Sequence, residues 1–327
     1  FLDQNTGTVT LSGFDATSDQ GPALSVTDSN VVTITDSSLT STNSLNGITL
    51  FEVERISIEN TALNLESNAF GISIDRVSNA TINAANGSTI TDTLFNGISI
   101  LDSGVVQVSG LTIERTGLNG IDASNNNTII IDNLAINNAN SNGINIENIT
   151  DATEITNSTI ANSGLDGIVA TNVTGTATIS NNTVSDSGLT GINLTNDAGT
   201  LDLTLTDNQV TNSGDRGVLL NTTNAAELTA LVENNTISGS ANDGLAVIAD
   251  GTSTIATGIR FNTLTDNAAA GTAGLNAVAN DNSNVCAQLG DNTSTTVGVP
   301  GFNLQQNVGD PTAFDAEIRA NNVGTLT

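Results

Sequence analysis

Residues 178–196 read TISNNTVSDSGLTGINLTN, and this stretch contains three short runs in which apolar and polar residues alternate. A corner containing Asn181 separates the first two runs, and a corner ending at Gly191 separates the last two. An alternation with a period of two indicates a half-buried β-strand. We therefore predict one complete turn of a strand-rich repeat. The alternation predicts these inward residues: Ile179, Val184, Ile192 and Leu194.

Two marks in the stretch recur along the whole chain in the same irregular rhythm. One is a glycine followed by an apolar-x-apolar run, at Gly47, Gly71, Gly97, Gly120, Gly143, Gly167, Gly191, Gly217, Gly244 and Gly274. The other is an Asp or Asn corner, at Asp36, Asn60, Asn133, Asn157, Asn181, Asp207 and Asn234. A repeat of 23–27 residues with three short strands cannot bury both of its faces alone. We therefore expect the repeats to stack, with each strand paired in parallel to its counterpart.

The residue types at the two corners have a structural explanation. Asn and Asp tolerate left-handed backbone geometry, and stacked amides can bond to the copies above and below. We therefore predict that the Asp and Asn corners form a column. Glycine adopts a positive φ without steric cost, so we predict that the ten glycines supply this conformation at the second corner.

These residues carry a resemblance to a known fold family. The repeated order of an apolar-x-apolar run, an Asn-Asn corner and a Ser-Gly-x-x-Gly corner resembles the right-handed parallel β-helix of the pectin-lyase-like superfamily, in the form found in bacterial surface proteins and adhesin passengers. The resemblance covers roughly residues 5–295. It implies an all-β, single-stranded parallel β-helix of about eleven coils over residues 1–295, followed by an irregular closing segment over 296–327.

Composition excludes several functions. The net charge is −28, and the six basic residues are all Arg, so the surface repels nucleic acids and anionic membranes. We expect neither a nucleic-acid partner nor membrane insertion. Cys286 is the only cysteine and stands in an apolar alternation, which predicts a buried thiol. Because the chain has no His, a Cys–His pair cannot form.

The strands after the glycines offer little recognisable chemistry. A glycosidase needs two carboxylates that flank the scissile bond. One outward position per strand was considered, and only Asp122 among them is acidic: Thr49, Ser73, Ser99, Asp122, Asn145, Val169, Asn193, Leu219, Ala246 and Asn276. The neighbours Asp75-Arg76 and Asp215-Arg216 would face opposite ways on a strand. We therefore predict no catalytic residue.

Ligand signals are equally sparse. Phe70 and Phe95 precede successive glycine corners, which predicts a stacked interior column rather than an exposed sugar platform. Carboxylates at Asp132, Asp207 and Glu233 are candidates for weak surface calcium binding, and no other cofactor is expected.

Two functions fit these observations. The first is a non-enzymatic structural protein, extracellular or at the cell surface: a β-helical rod that serves as a surface-layer or filament subunit or as an adhesin stalk. Its partners would be further copies that meet end to end, flanking domains of a longer chain, or a glycan or other cell-surface ligand. The alternative is a polysaccharide-active lyase or hydrolase, or a carbohydrate-binding β-helix. This alternative draws its acids from positions such as Asp92, Asp102, Asp122 and Glu147.

Overall fold

The computed structural model describes residues 1–267, 273–295, 299–307, 314–318 and 322–323. The chain divides into two compact units, Phe1–Ser163 and Gly164–Thr327. Every regular element in the described residues is a β-strand, and strand pairing is parallel in both units. None of these residues belongs to a helix that could cross a membrane.

The first unit is a stack of parallel strands, each paired with its counterpart one turn away. Some strands run through corners, so Asn46–Glu66 is a single strand of 21 residues with small register shifts. The strands are β1 Leu2–Asp3, β2 Thr8–Ser12, β3 Asp15–Ser18, β4 Leu24–Thr35, β5 Ser38–Thr42, β6 Asn46–Glu66, β7 Phe70–Asp75, β8 Asn79–Thr91, β9 Ile98–Leu101, β10 Val105–Thr116, β11 Ile121–Ser124, β12 Thr128–Asp132, β13 Ala135–Ala139, β14 Ile144–Glu147, β15 Ala152–Thr156 and β16 Thr159–Ala161.

The second unit repeats the same arrangement with shorter strands. Three strands per turn recur regularly, as the sequence predicts. They are β17 Ile168–Thr171, β18 Gly175–Ser180, β19 Thr183–Ser185, β20 Ile192–Asn196, β21 Thr200–Thr206, β22 Gln209–Thr211, β23 Val218–Thr222, β24 Glu227–Glu233, β25 Thr236–Ser238, β26 Leu245–Ala249, β27 Thr254–Arg260, β28 Thr263–Thr265, β29 Leu275–Ala279, β30 Asn284–Gly290, β31 Thr293–Thr295, β32 Phe302–Gln306 and β33 Phe314–Ile318.

Inward side chains form columns because the strands stack in register. In the first unit Ile72, Ile98 and Ile121 are directly paired, and each is completely buried. In the second unit Ile192, Val218 and Leu245 form the equivalent column and are at most 1% exposed. Burial of one such side chain contributes roughly 1.5–3 kcal/mol. The predicted parallel β-helix is thus confirmed, with about twelve turns in place of eleven.

The predicted boundary at residue 295 stays a prediction. Residues 296–298, 308–313, 319–321 and 324–327 lie outside the described residues. The described pieces of that segment continue the ladders, since Phe302–Gln306 pairs in parallel with Leu275–Ala279.

The Asp and Asn corner residues all have left-handed backbone geometry. The seven have φ values of 46–57°: Asp36, Asn60, Asn133, Asn157, Asn181, Asp207 and Asn234. In the second unit, most of the side-chain amides that stack from turn to turn belong to other residues. The buried ladder there is built by the next residue of each corner, as at Asn208, Asn235 and Asn262. The left-handed residue turns its successor inward, where each amide bonds the copy one turn away.

Loss of one amide from this ladder should destabilise the second unit. Asn235 accepts the backbone N–H of Asn208 at 3.0 Å and donates to the Leu205 carbonyl at 2.9 Å. Asn235→Ala leaves both groups buried without these partners, so we expect the free energy of unfolding to fall by about 2 kcal/mol in urea titration. Thr236→Ala, at an exposed neighbour, should change it by less than about 0.5 kcal/mol. Equal effects of the two variants would contradict a ladder contribution.

The explanation predicted for the ten glycines is wrong. All ten are described, and none of them has a positive φ. They are needed because successive turns approach closely: a Cβ at Gly97 would lie 2.6 Å from the carbonyl oxygen of Gly120, and one at Gly191 would lie 2.6 Å from that of Gly217. Glycine is therefore needed at this corner for the close contact between turns. The backbone conformation of the bend does not require glycine.

Candidate functional site

The strands after the glycines give the first unit an outward polar face with two rows of side chains. The rows come from β6, β7, β9, β11 and β14, where alternate residues point away from the core. We call these residues the polar face. The first row is Thr49, Ser73, Ser99, Asp122 and Asn145, and the second is Phe51, Asp75, Leu101, Ser124 and Glu147.

Asp122 stands in the polar face with both carboxylate oxygens bonded. Asn96 Nδ2 donates to Oδ2 at 3.2 Å, while Asn119 Nδ2 and Asn145 Nδ2 donate to Oδ1 at 3.2 Å and 2.8 Å. The side chain is half-buried. The three amides come from three successive turns, so stacking of the turns fixes the position of the carboxylate.

The amides of Asn96 and Asn119 are themselves held in place. Asn96 Oδ1 accepts the backbone N–H of Asn119 at 3.0 Å, and Asn119 Oδ1 accepts that of Asn142 at 3.0 Å. These bonds direct each Nδ2 toward Asp122. Asn96 and Asn119, which each precede a glycine, therefore have two roles. The Oδ1 of each accepts a backbone N–H of the next turn, and the Nδ2 of each donates to the outward carboxylate of Asp122.

Glu147 lies on the same face as Asp122, on the neighbouring strand. Asp122 is paired with Asn145 and Ser124 with Glu147, so the two acids are diagonal neighbours. With strands ~4.8 Å apart and a rise of ~3.3 Å per residue, their Cα atoms are ~8 Å apart. Glu147 is exposed. The sequence names both acids as candidates for the alternative function but does not predict them as a pair, because the catalytic prediction used one outward position per strand, whereas the alternation itself supplies two.

The other two acids of the alternative function lie at corners. Asp92 accepts from Arg115 Nε at 2.7 Å and from Nη2 at 2.9 Å, and Asp102 accepts from Asn125 Nδ2 at 3.1 Å. The hydrogen bonds that Arg115 donates to Asp92 hold the pKa of Asp92 below its usual range, and the bonds that it donates to Asp92 and Glu114 hold the pKa of Arg115 above its usual range. The structure therefore brings together Asp122 and Glu147 but not Asp92 and Asp102.

The guanidinium of Arg76 lies beside one end of the polar face and is already engaged. It donates to Glu52 at 3.0 Å, approaches Asp75 at 3.9 Å and lies over the Phe51 ring at 4.3 Å from its centroid. The carboxylates of Glu52 and Asp75 therefore offset its charge, and the Phe51 ring covers one of its faces. Asp75 and Arg76 are thus part of a surface ion-pair cluster.

Phe70 and Phe95 do not form the interior column that was predicted. Their rings are in contact, with centroids 5.2 Å apart and a tilt of 36°, but Phe95 is 40% exposed and Phe70 is half-buried. They lie at the turn before the glycine, where the chain leaves the core. Phe95 directly precedes Asn96, whose amide bonds Asp122 of the polar face.

A groove of about 890 Å³ runs along the same corner of the first unit. Its wall includes the exposed residues Leu45 and Leu94 and the ion pair of Asp92 with Arg115. The groove therefore places apolar surface next to polar surface, and none of the described residues that line it belongs to the polar face.

The second unit has a separate charged cluster around Arg216. Arg216 Nη1 donates to Asp215 at 3.1 Å, and its Nε lies 3.7 Å from Asp243, whose side chain is only 3% exposed. Asp243 also accepts from the backbone N–H of Ala273 at 2.9 Å and from Asn276 Nδ2 at 3.0 Å. These contacts indicate a structural carboxylate that supports the next turn.

Two of the three predicted calcium ligands, Asp207 and Glu233, lie on adjacent turns of the second unit, and Asp132 belongs to the first unit. Asp132 accepts from Thr156 at 2.8 Å and from Asn157 at 2.7 Å, and Glu233 pairs with Arg260 at 3.3 Å. The backbone N–H of Asp207 donates to the Glu233 carbonyl at 3.1 Å. Among the described residues no three His, Cys, Asp or Glu side chains are grouped to hold a metal ion. Calcium binding stays a prediction.

The prediction of a buried Cys286 is wrong. Cys286 is exposed and lies in a shallow depression of about 210 Å³ that Thr229, Ala256 and Gln288 also line. The alternation around it is genuine, but its phase places Val285 and Ala287 inward.

Comparisons with known proteins agree with the fold. A family model described as right handed beta helix region matches residues 70–258. Among curated proteins, none matches the sequence. The mannuronan C-5 epimerase AlgE4 A-module of Azotobacter vinelandii is similar in structure, with a TM-score of 0.49 and 15% identity over 95% of this chain and 83% of that one.

Two further solved structures are similar along nearly the whole chain. The catalytic unit of the thermostable GH87 alpha-1,3-glucanase from Streptomyces thermodiastaticus strain HF3-3 has a TM-score of 0.42 and 14% identity, covering 98% of this chain and 63% of that one. The Dettilon tailspike protein has a TM-score of 0.39 and 13% identity, covering 96% and 63%. The chain thus spans under two thirds of both. At these identities the likeness concerns the fold alone.

The prediction that the protein is not an enzyme is wrong. Its premise was a lone outward acid, whereas Asp122 and Glu147 share the polar face.

Proposed function

The chain belongs to the right-handed β-helix family, and on that premise we propose that it is a polysaccharide-active protein: its polar face binds a hydroxyl-rich polymer, and Asp122 and Glu147 hydrolyse it. The observation that carries the proposal is the Asp122 carboxylate, fixed by three side-chain amides on an outward surface with a second carboxylate on the next strand. Thr, Ser and Asn side chains along the same row can bond sugar hydroxyls.

The diagonal placement of the two acids, with Cα atoms ~8 Å apart, suggests the reaction. We propose that their side chains hold the carboxyl groups at the ~6.5–9.5 Å separation of inverting glycosidases, which leaves room for a water molecule between one acid and the sugar. Asp122 would take the proton of the attacking water, and Glu147 would give a proton to the bridging oxygen. The bond from the anomeric carbon to that oxygen breaks, and one water is consumed.

A panel of polysaccharides tests this function. We expect incubation with neutral and uronate-containing polymers to release reducing sugar from at least one of them, and the product to have the inverted anomeric configuration by NMR. Unsaturated products would instead indicate a lyase. If no polymer binds and none is cleaved, the proposal is overturned.

Location and assembly follow as further parts of the proposal. We propose that the protein acts outside the cell or at its surface, the location expected from the sequence. Association of copies through their ends stays a prediction, and sedimentation across a concentration series measures it.

A further inference from the structure

We infer that the polymer bound at the polar face is an uncharged polysaccharide, and that one of its sugar rings stacks on Phe95. This inference rests on the proposed function and names its substrate class and a binding residue that the polar face itself does not contain. Two independent observations carry it: the supported, exposed ring of Phe95, and the charge that surrounds Asp122.

The Phe95 ring is exposed but not free to collapse. Phe95 is 40% exposed, its ring rests against that of half-buried Phe70 at 5.2 Å, and its backbone N–H donates to the Ala69 carbonyl at 2.8 Å. An aromatic ring fixed in this way presents one apolar face at little cost in side-chain entropy. The apolar C–H faces of a pyranose ring suit such a surface.

Phe95 is also adjacent in sequence to a residue that holds the reacting carboxylate. The following residue, Asn96, bonds Asp122 at 3.2 Å. On the next turn Leu118, 44% exposed, precedes Asn119, which bonds the same carboxylate at 3.2 Å. An exposed apolar residue therefore directly precedes two of the amides that hold Asp122, and we expect a sugar stacked on Phe95 to continue toward the carboxylate.

The charge of the polar face disfavours an anionic polymer. It presents the carboxylates of Asp75, Asp122 and Glu147. The first unit contains three Arg in total, of which Arg76 and Arg115 are engaged by carboxylates. The third, Arg55, lies in the later part of β6, which pairs with β8, and it stands opposite Asn79 there. It is not one of the polar-face residues. A uronate would face these acids without a free cation to offset the repulsion. An uncharged chain avoids that cost and still offers hydroxyls to Asp122.

Calorimetric titration with oligosaccharides of equal length tests the inference. The probes are uncharged gluco-, xylo- and manno-oligosaccharides and, as the anionic counterpart, galacturonate and mannuronate oligomers at low ionic strength. We expect at least one uncharged probe to bind and the uronates to bind more weakly. Phe95→Ala should weaken the uncharged probe about tenfold, and Phe95→Tyr should restore it.

Controls separate this inference from the proposed function. Phe261→Ala removes an equally exposed ring, 50% exposed, from the second unit and should leave binding unchanged. Thermal melting of Phe95→Ala shows whether loss of the Phe70 contact unfolds the site, and Phe95→Tyr keeps the test valid if it does. Tighter binding of a uronate than of the uncharged probes, or unchanged binding by Phe95→Ala, overturns the inference. Activity that depends on Asp122 would still uphold the proposed function in that case. No binding of any polysaccharide overturns both.

Discussion

Asp122→Asn is expected to lower the rate of polysaccharide hydrolysis about 10³-fold, because an amide cannot take the proton of the attacking water. The substitution keeps the size and shape of the side chain. The new carbonyl oxygen can accept from Asn119 and Asn145, whereas the new NH2 group faces the Asn96 donor and loses that bond. Thermal melting therefore accompanies the rates to show that the variant is folded, and its binding constant for the polymer should change little. Initial rates of reducing-sugar release measure kcat and KM separately.

Glu147→Gln should cause a loss of similar size if this residue protonates the leaving oxygen. The loss should be smaller with an aryl glycoside, whose leaving group needs less protonation, while Asp122→Asn should stay impaired on the same substrate. This difference assigns the two roles. Asp102→Asn is the matched control, since it removes one exposed carboxylate at a corner and should change the rate by less than about twofold. Full activity in both Asp122→Asn and Glu147→Gln would exclude the proposed pair.

The columns of the core were predictable from the sequence because alternation fixes which residues face inward. Ile98 and Ile121 show this, since each stands between a glycine and a polar residue and becomes completely buried. The corner residues have a local cause as well, because a left-handed conformation at Asn181 reflects the preference of Asn for that geometry. Periodicity and turn chemistry therefore give the architecture.

The candidate site was less predictable because it depends on which turns stand side by side. Glu147 becomes relevant only when register places it diagonal to Asp122, and a one-residue change of register would move it to the other face. The Asn-Asn corner shows the same limit. Residue type alone does not say that Asn208 rather than Asp207 carries the buried ladder, because the left-handed turn decides which of the two points inward.

Gly97→Ala is expected to lower the free energy of unfolding of the first unit by about 3 kcal/mol, because its Cβ has no space. A Cβ there would lie 2.5 Å from Ile113 Cγ2 and 2.6 Å from the Gly120 carbonyl oxygen. Both groups belong to paired turns, so relief of the contact requires a shift of strands that carry the core columns. Urea titration followed by circular dichroism measures the loss.

Two other glycines of the same unit separate crowding from backbone conformation. Gly87 has a φ of +83° and open space around it, so Gly87→Ala introduces strain without contact and should cost roughly 1–2 kcal/mol. At Gly7 the nearest atom to an added Cβ is 3.9 Å away, and Gly7→Ala should be nearly neutral. A cost at Gly97 above that at Gly87 means that turn-to-turn contact selects glycine at the ten corners. The reverse order would contradict the explanation by close approach between turns. The outcome also bears on the candidate site, because the same close approach brings the amides of Asn96 and Asn119 within reach of Asp122.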